Sequence, residues 1–183
     1  MLKKAIPHFR QTDHNLMKTL FSVLFCFAAF SVFSQNSSQY DNIPLNTAAD
    51  YRKAEPYVIL AADYVYSSPI DKENSNRTNA ISFIMKWMVG TSDYSFGMDE
   101  TIRKISNSDP EILGIYFSSL AKYALSKGKG ADREDMKYNA YLMMATYCEN
   151  PDNNFRIRGE VKKMIDAKNQ GKLKEFLDSK QKK

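Results

Sequence analysis

The chain of 183 residues is short of the side chains that carry most hydrolytic and metal chemistry, with two histidines and two cysteines. His8, His14 and Cys26 all precede residue 35. Beyond that point no imidazole is available for a Ser-His-Asp or Cys-His mechanism, or for holding zinc. Cys148 then stands alone, which excludes an intramolecular disulfide and a thiolate cluster. Glycine is also scarce, with seven residues. The stretch KGKGAD at 127–132 has neither the spacing of a phosphate-binding loop nor a strand before it. No catalytic residue, cofactor or metal is assigned.

One long apolar run is present. Residues 17–35, MKTLFSVLFCFAAFSVFSQ, have the parts of an export signal. Lys18 follows a usable start at Met17, residues 20–33 are apolar except for Ser22 and Ser31, and Val32 and Ser34 occupy the positions inspected by a signal peptidase. The expected cut falls between Ser34 and Gln35, where the sequence turns polar. As a helix, residues 20–33 would span about 21 Å, short of a hydrocarbon core about 30 Å thick. The run has no polar stripe of the kind a core helix shows, and bulky Phe25 argues against lipid attachment at Cys26. Residues 1–34 are therefore expected to be leader plus signal peptide, with the true start at Met1 or Met17, and the protein to be exported to the periplasm or beyond.

The remaining 149 residues, 35–183, suffice for one domain burying about 70% of its unfolded surface. They carry 22 basic and 20 acidic side chains, a balance of +2 against +5 for the whole chain. The basic character belongs largely to the leader, so nucleic acid is not an expected partner. Export without a disulfide points to a bacterial envelope. The triplets Asn36-Ser37-Ser38 and Asn76-Arg77-Thr78 match a glycosylation pattern that also arises by chance.

Apolar residues recur at helical spacing throughout, and no segment alternates as a strand does. Residues 35–46 are polar and expected to be disordered or loosely docked. Asn46 or Thr47 caps a short stretch to Lys53, and Pro56 suits the first turn of a separate helix over 55–66. A helix over 76–89 places Ala80, Ile81, Ile84, Met85 and Met88 on one face, with Gly90 as its C-terminal cap. The aromatic loop TSDYSFGM precedes a short helix over 99–105. Asp109-Pro110-Glu111 opens a helix that stops at Gly128, and Asp132 opens another to Glu149. The next, over 154–169, carries Ile157, Val161, Met164 and Ile165, and Gly171 separates it from a last helix with Leu173, Phe176 and Leu177. The expected fold is all-α, a single domain over 47–183 of six or seven helices packed as antiparallel hairpins. Helix starts are unequally spaced, so no repeat is assigned.

Few residues invite a functional reading. Asp63 lies mid-helix among apolar neighbours, where an unpaired carboxyl becomes a general acid; pairing with Lys86 or Arg77, or a place on a rim, is the plainer expectation. Asp99 and Glu100 follow Trp87, Tyr94 and Phe96, and carboxylates beside aromatic platforms suit glycan cleavage without histidine. Adjacent helical residues diverge by about 100°, so a distant partner such as Asp63 would be required; acids decorating a helix start are the plainer reading. All eleven tyrosines follow residue 35, which suits either binding clefts or the rims of a small core. Residues 156–183 hold 10 basic and 4 acidic side chains against 12 and 16 over 35–155. This basic C-terminal region, helical from 154 on, either touches an anionic surface or docks on the protein's own acidic body. The expectation is a non-enzymatic binding or scaffolding protein of the envelope, contacting another protein or an envelope component. The alternatives are a carboxylate-based glycan-acting enzyme and a periplasmic chaperone or inhibitor.

Overall fold

The computed structural model describes residues 38–181. The expected signal segment and its cut at Ser34 and Gln35 lie outside the described residues. Seven α-helices and no strand are present among those described. They are α1 (Ala48–Ser67), α2 (Ser75–Gly90), α3 (Glu100–Ser108), α4 (Glu111–Lys127), α5 (Arg133–Glu149), α6 (Gly159–Asn169) and α7 (Leu173–Gln181), with a 3-10 turn at Pro151–Asn153. None of these helices is long and apolar enough to cross a membrane.

Local chemistry sets most helix ends. Thr47 and Asp50 form a reciprocal capping box at α1. Asn74, Asp99 and Asp132 each accept a backbone N–H in the first turn of α2, α3 and α5. Gly128, at φ 78°, ends α4 in a backbone region that side chains with a Cβ seldom enter.

Pro56 does not begin a helix. It sits inside the continuous α1, on the exposed face beside exposed Arg52, where a carbonyl that has lost its N–H partner can turn to water. Ala54 and Val58, buried on either side of it, hold both halves against one core. Residues 38–46 are docked, not loose. Tyr40 is buried and stacks on Phe83 with ring centroids 4.7 Å apart, and Ile43 and Leu45 pack nearby. The 154–158 stretch is not helical: Asn154 turns left-handed at φ 55°, and the helix starts only at Gly159, itself at φ 53°. Ile157, expected on the buried face, is consequently exposed.

Helix α1 runs antiparallel to both α2 and α4. Tyr51 at the start of α1 meets the end of α2, where Trp87 donates its indole N–H to the Tyr51 carbonyl at 2.9 Å, while Tyr64 near the end of α1 reaches Asn74 at 3.3 Å. Likewise Asp63 and Tyr66 of α1 meet Lys122 and Ser119 of α4. The α4–α5 seam is closed by Tyr116 and Tyr141, with ring centroids 5.1 Å apart. Gly114 lets α2 approach α4, since a Cβ there would come within 2.6 Å of Ile81 Cδ1.

A buried cation ends α1. The Val65 carbonyl would receive its helical hydrogen bond from residue 69, which is Pro69 and has no N–H. Arg77, only 4% exposed, donates to that carbonyl instead, and to the Ser68 carbonyl at 2.9 Å and hydroxyl at 3.0 Å. Its guanidinium lies 5.4 Å from the centre of the Tyr147 ring.

Candidate functional site

The candidate site is built around the connection between α2 and α3. Among the described residues, none of 92–98 takes part in a backbone–backbone hydrogen bond. Side chains fasten the segment instead, so it is a strap laid over the helices. Asp93 ion-pairs with Arg52 and with Lys129, each at 2.9 Å. Hydrogen bonds from Lys129 and then Arg52 hold the Asp93 carboxyl below the usual carboxylate range. Tyr94 and Phe96 turn their rings onto Trp87, at 5.6 and 5.7 Å between centroids. Arg133 donates to the Ser95 hydroxyl at 3.1 Å.

Residues 95–98 of the strap separate two depressions. On one side is an apolar groove of about 540 Å³, lined chiefly by Met85, Met88, Val89, Phe96, Met98 and Phe117. Val89 is 88% exposed, and Met85 and Met98 are each about two-fifths exposed. On the other side a cleft of about 580 Å³ lies over Asp99, Tyr116, Leu120, Arg133 and Met136.

Asp99 caps α3 through one carboxylate oxygen. Oδ1 accepts from the Ile102 N–H at 2.9 Å and from the Tyr141 hydroxyl at 2.6 Å. Oδ2 is buried and has no hydrogen-bond partner among the described residues, and neither has Thr101 Oγ1 two residues on. Burial, followed by the Asp99 charge, raises both the Tyr141 and the Tyr116 hydroxyls well above the ordinary tyrosine range, so both stay protonated.

The residues singled out from sequence are partly united. Trp87, Tyr94 and Phe96 form one cluster, but Trp87 is completely buried with its N–H occupied, so it is not an open platform. Asp99 lies across the strap from that cluster. Glu100 faces Arg103 and Lys104 of its own helix at 3.5 and 3.6 Å. Asp63 pairs neither with Lys86 nor with Arg77. It meets Lys122 at 2.5 Å, because α4 is the helix laid along that side of α1, and it lines neither depression. Met85, read as a core position, lies at the surface; Phe83 and Trp87 are buried instead.

Sequence reasoning missed Val89, Met98 and Arg133, and had Tyr116 and Tyr141 only among the tyrosines that suit either a cleft or the rim of a core. The one available signal was Met85 and Val89, four residues apart beside an aromatic loop. Several helix-borne tyrosines serve the interior, with Tyr147 donating to the Ser68 carbonyl at 2.7 Å and Tyr66 meeting the Ser119 hydroxyl, while Tyr57 and Tyr138 are exposed. The basic C-terminal region docks on the body, with Arg158 on Asp109 at 2.7 Å and Lys168 on Glu149. No family, no curated protein and no solved structure matches the chain.

Proposed function

We propose that the protein is an exported, non-enzymatic binding protein of the cell envelope, and that the groove between α2 and the strap is its contact face for another protein. The observation that carries this reading is the Met85–Val89 ridge: large apolar side chains stand in solvent along a groove floored by Met88 and Phe117. Methionine adapts its shape to an apolar partner, and exposed apolar surface of this kind marks interaction sites. An amphipathic helix or an unfolded segment is the occupant if the role is that of an inhibitor or chaperone.

The test replaces Met85 and Val89 together by Asp. Val89 is almost wholly exposed and Met85 about two-fifths exposed at the groove wall, so the variant is expected to stay folded, and it loses capture of partners from an envelope fraction by about tenfold or more. Equal capture by both forms removes the reading, as does turnover of a polymeric glycan by the purified protein. Export itself is tested by intact mass. A chain beginning at Gln35 in the envelope or medium supports it, and a chain retaining His8 and His14 inside the cell contradicts it.

A further inference from the structure

We propose that the strap is a gate on the contact groove: it lifts from the folded helices as a unit, and lifting joins the groove and the cleft over Asp99 into one trough along α4. This inference rests on the reading of the groove as a contact face, and adds how that face is opened.

The two depressions share a helix as floor and a single dividing wall. Phe117 lines the groove, and Tyr116 and Leu120 line the cleft, all three from α4. Helix α4 packs against both α2 and α5. Met85, Met88 and Val89 of α2 line the groove, while Arg133, Met136 and Lys137 of α5 line the cleft. The residues that line both are Ser95, Phe96, Gly97 and Met98, all in the strap. Raising these four residues removes the wall and leaves the helices where they are.

The backbone does not oppose that movement. Both ends of the strap are fixed, since the Thr91 N–H donates to the Trp87 carbonyl at 2.9 Å and Asp99 caps α3. Between these ends the Asp93 N–H reaches the Thr91 hydroxyl at 3.4 Å, a local contact at one end of the strap. Among the described residues Phe96, Gly97 and Met98 form no hydrogen bond. A Cβ on Gly97 would meet nothing within 4 Å, so the chain has room there, and glycine absorbs a change of dihedral angle at low cost.

Side chains alone hold the gate shut. The polar fasteners lie at the surface: Asp93 on Arg52 and Lys129, whose side chains are 53% and 60% exposed, and Ser95 on Arg133. Ion pairs so placed are weak. The stronger hold is apolar, the Tyr94 and Phe96 rings covering the buried Trp87. Opening uncovers that indole, so the free protein rests closed. A partner whose apolar side chain replaces Phe96 on Trp87 offsets the exposure and shifts the population to the open form. An amphipathic helix, long enough to lie along α4, gains from the joined trough, whereas a small apolar molecule seated in the groove alone does not.

The test follows the strap and the helices separately in one urea titration. Gly97→Cys, labelled with bimane, puts a fluorophore that tryptophan quenches at short range next to Phe96, whose ring lies on Trp87, the single tryptophan. Cys148 is buried and escapes the label, and Cys26→Ser removes the other native thiol in any chain that retains it. Bimane emission is expected to rise at a midpoint at least about 1 M urea below that of the helical circular dichroism, as local opening ahead of global unfolding requires. Asp93→Asn is expected to lower the bimane midpoint further and leave the helical midpoint in place. Coincident transitions overturn the proposal, because the strap then belongs to the cooperative unit. Asp93→Asn that moves both midpoints together, or neither, overturns it as well. Trp87 emission of the unlabelled wild type, set against the same helical signal, makes the first comparison without any substitution. Failure here leaves the contact-face reading to the Met85 and Val89 replacements, which judge it separately.

Discussion

Tyr51 occupies the space that a side chain on Gly90 would need: a Cβ built there would lie 1.9 Å from the Tyr51 hydroxyl oxygen. Gly90 does not cap α2 by turning left-handed, as its place after a helical run implied. It is the last helical residue, Thr91 follows as cap, and the glycine lets the start of α1 close over the end of α2. Gly90→Ala is therefore predicted to destabilise the protein by about 1–3 kcal/mol through overpacking, although alanine is the better helix former by about 1 kcal/mol. In a Tyr51→Ala background the sign reverses and the same change stabilises. Urea titration of the four proteins of this double-mutant cycle checks it.

Arg77 is the one donor-rich side chain at the proline-interrupted end of α1. Arg77→Met keeps the bulk of the side chain and removes its donors, leaving the Val65 carbonyl without its strong partner. The Ser68 carbonyl keeps its hydrogen bond from Tyr147. The predicted cost is about 1–3 kcal/mol, that of one buried acceptor left unmet. Arg77→Lys is predicted to recover only part of it, since a compact ammonium cannot reproduce the planar fork over Tyr147. Denaturant midpoints of the two variants decide the point.

Cys148 is buried, and burial, with the Asp109 and Glu149 charges adding to it, pushes its thiol up to about 12. The folded protein is predicted to resist iodoacetamide at pH 8, and the urea-unfolded protein to react at the rate of a free thiol. The linkage has one sign. The unfolded thiol loses its proton above about 8.5 while the native thiol keeps it until about 12, so stability falls as pH rises through that window. Tyr66, Tyr116 and Tyr141, also raised by burial, add to the same alkaline loss above pH 10. Thermal melts from pH 7 to 11 check the slope, and Cys148→Ala should flatten its first part.

Trp87, the single tryptophan, lies directly beneath the strap and reports on it. Asp93→Asn weakens the clasp to Arg52 and Lys129 and is predicted to raise acrylamide quenching of Trp87 fluorescence with little change in melting temperature, because both basic partners lie largely in solvent. Acid should act likewise. Asp93 has a lowered native carboxyl pKa, so its contribution is present above the unfolded value and is lost as pH falls through the native one. Quenching that does not differ between wild type and variant would show that the clasp does not hold the strap.

Much of the helical framework was legible because its ends are written in short-range chemistry. Thr47, Asp132 and Gly128 mark boundaries through their own hydrogen bonds or dihedrals, and each stands where the sequence placed it. Pro56 and Gly90 misled because tertiary packing overrode local preference: a continuous core contact carries α1 through its proline, and a neighbouring tyrosine, not a turn, requires the glycine. The site was hardly legible. Tyr116, Arg133 and Tyr141 reach Asp99 and the strap across many residues of sequence, and helical spacing cannot say which of Met85 and Trp87 faces the interior. Periodicity gives a helix its faces, while the helices packed against it decide which face is inside.

The most direct test of the central claim places a photo-reactive amino acid at position 89 in the cells that make the protein, with the exposed position 174 of α7 as control. If the groove is the contact face, residue 89 yields one discrete heavier adduct on irradiation and residue 174 does not. No adduct at 89, or the same adducts from both positions, would contradict the account.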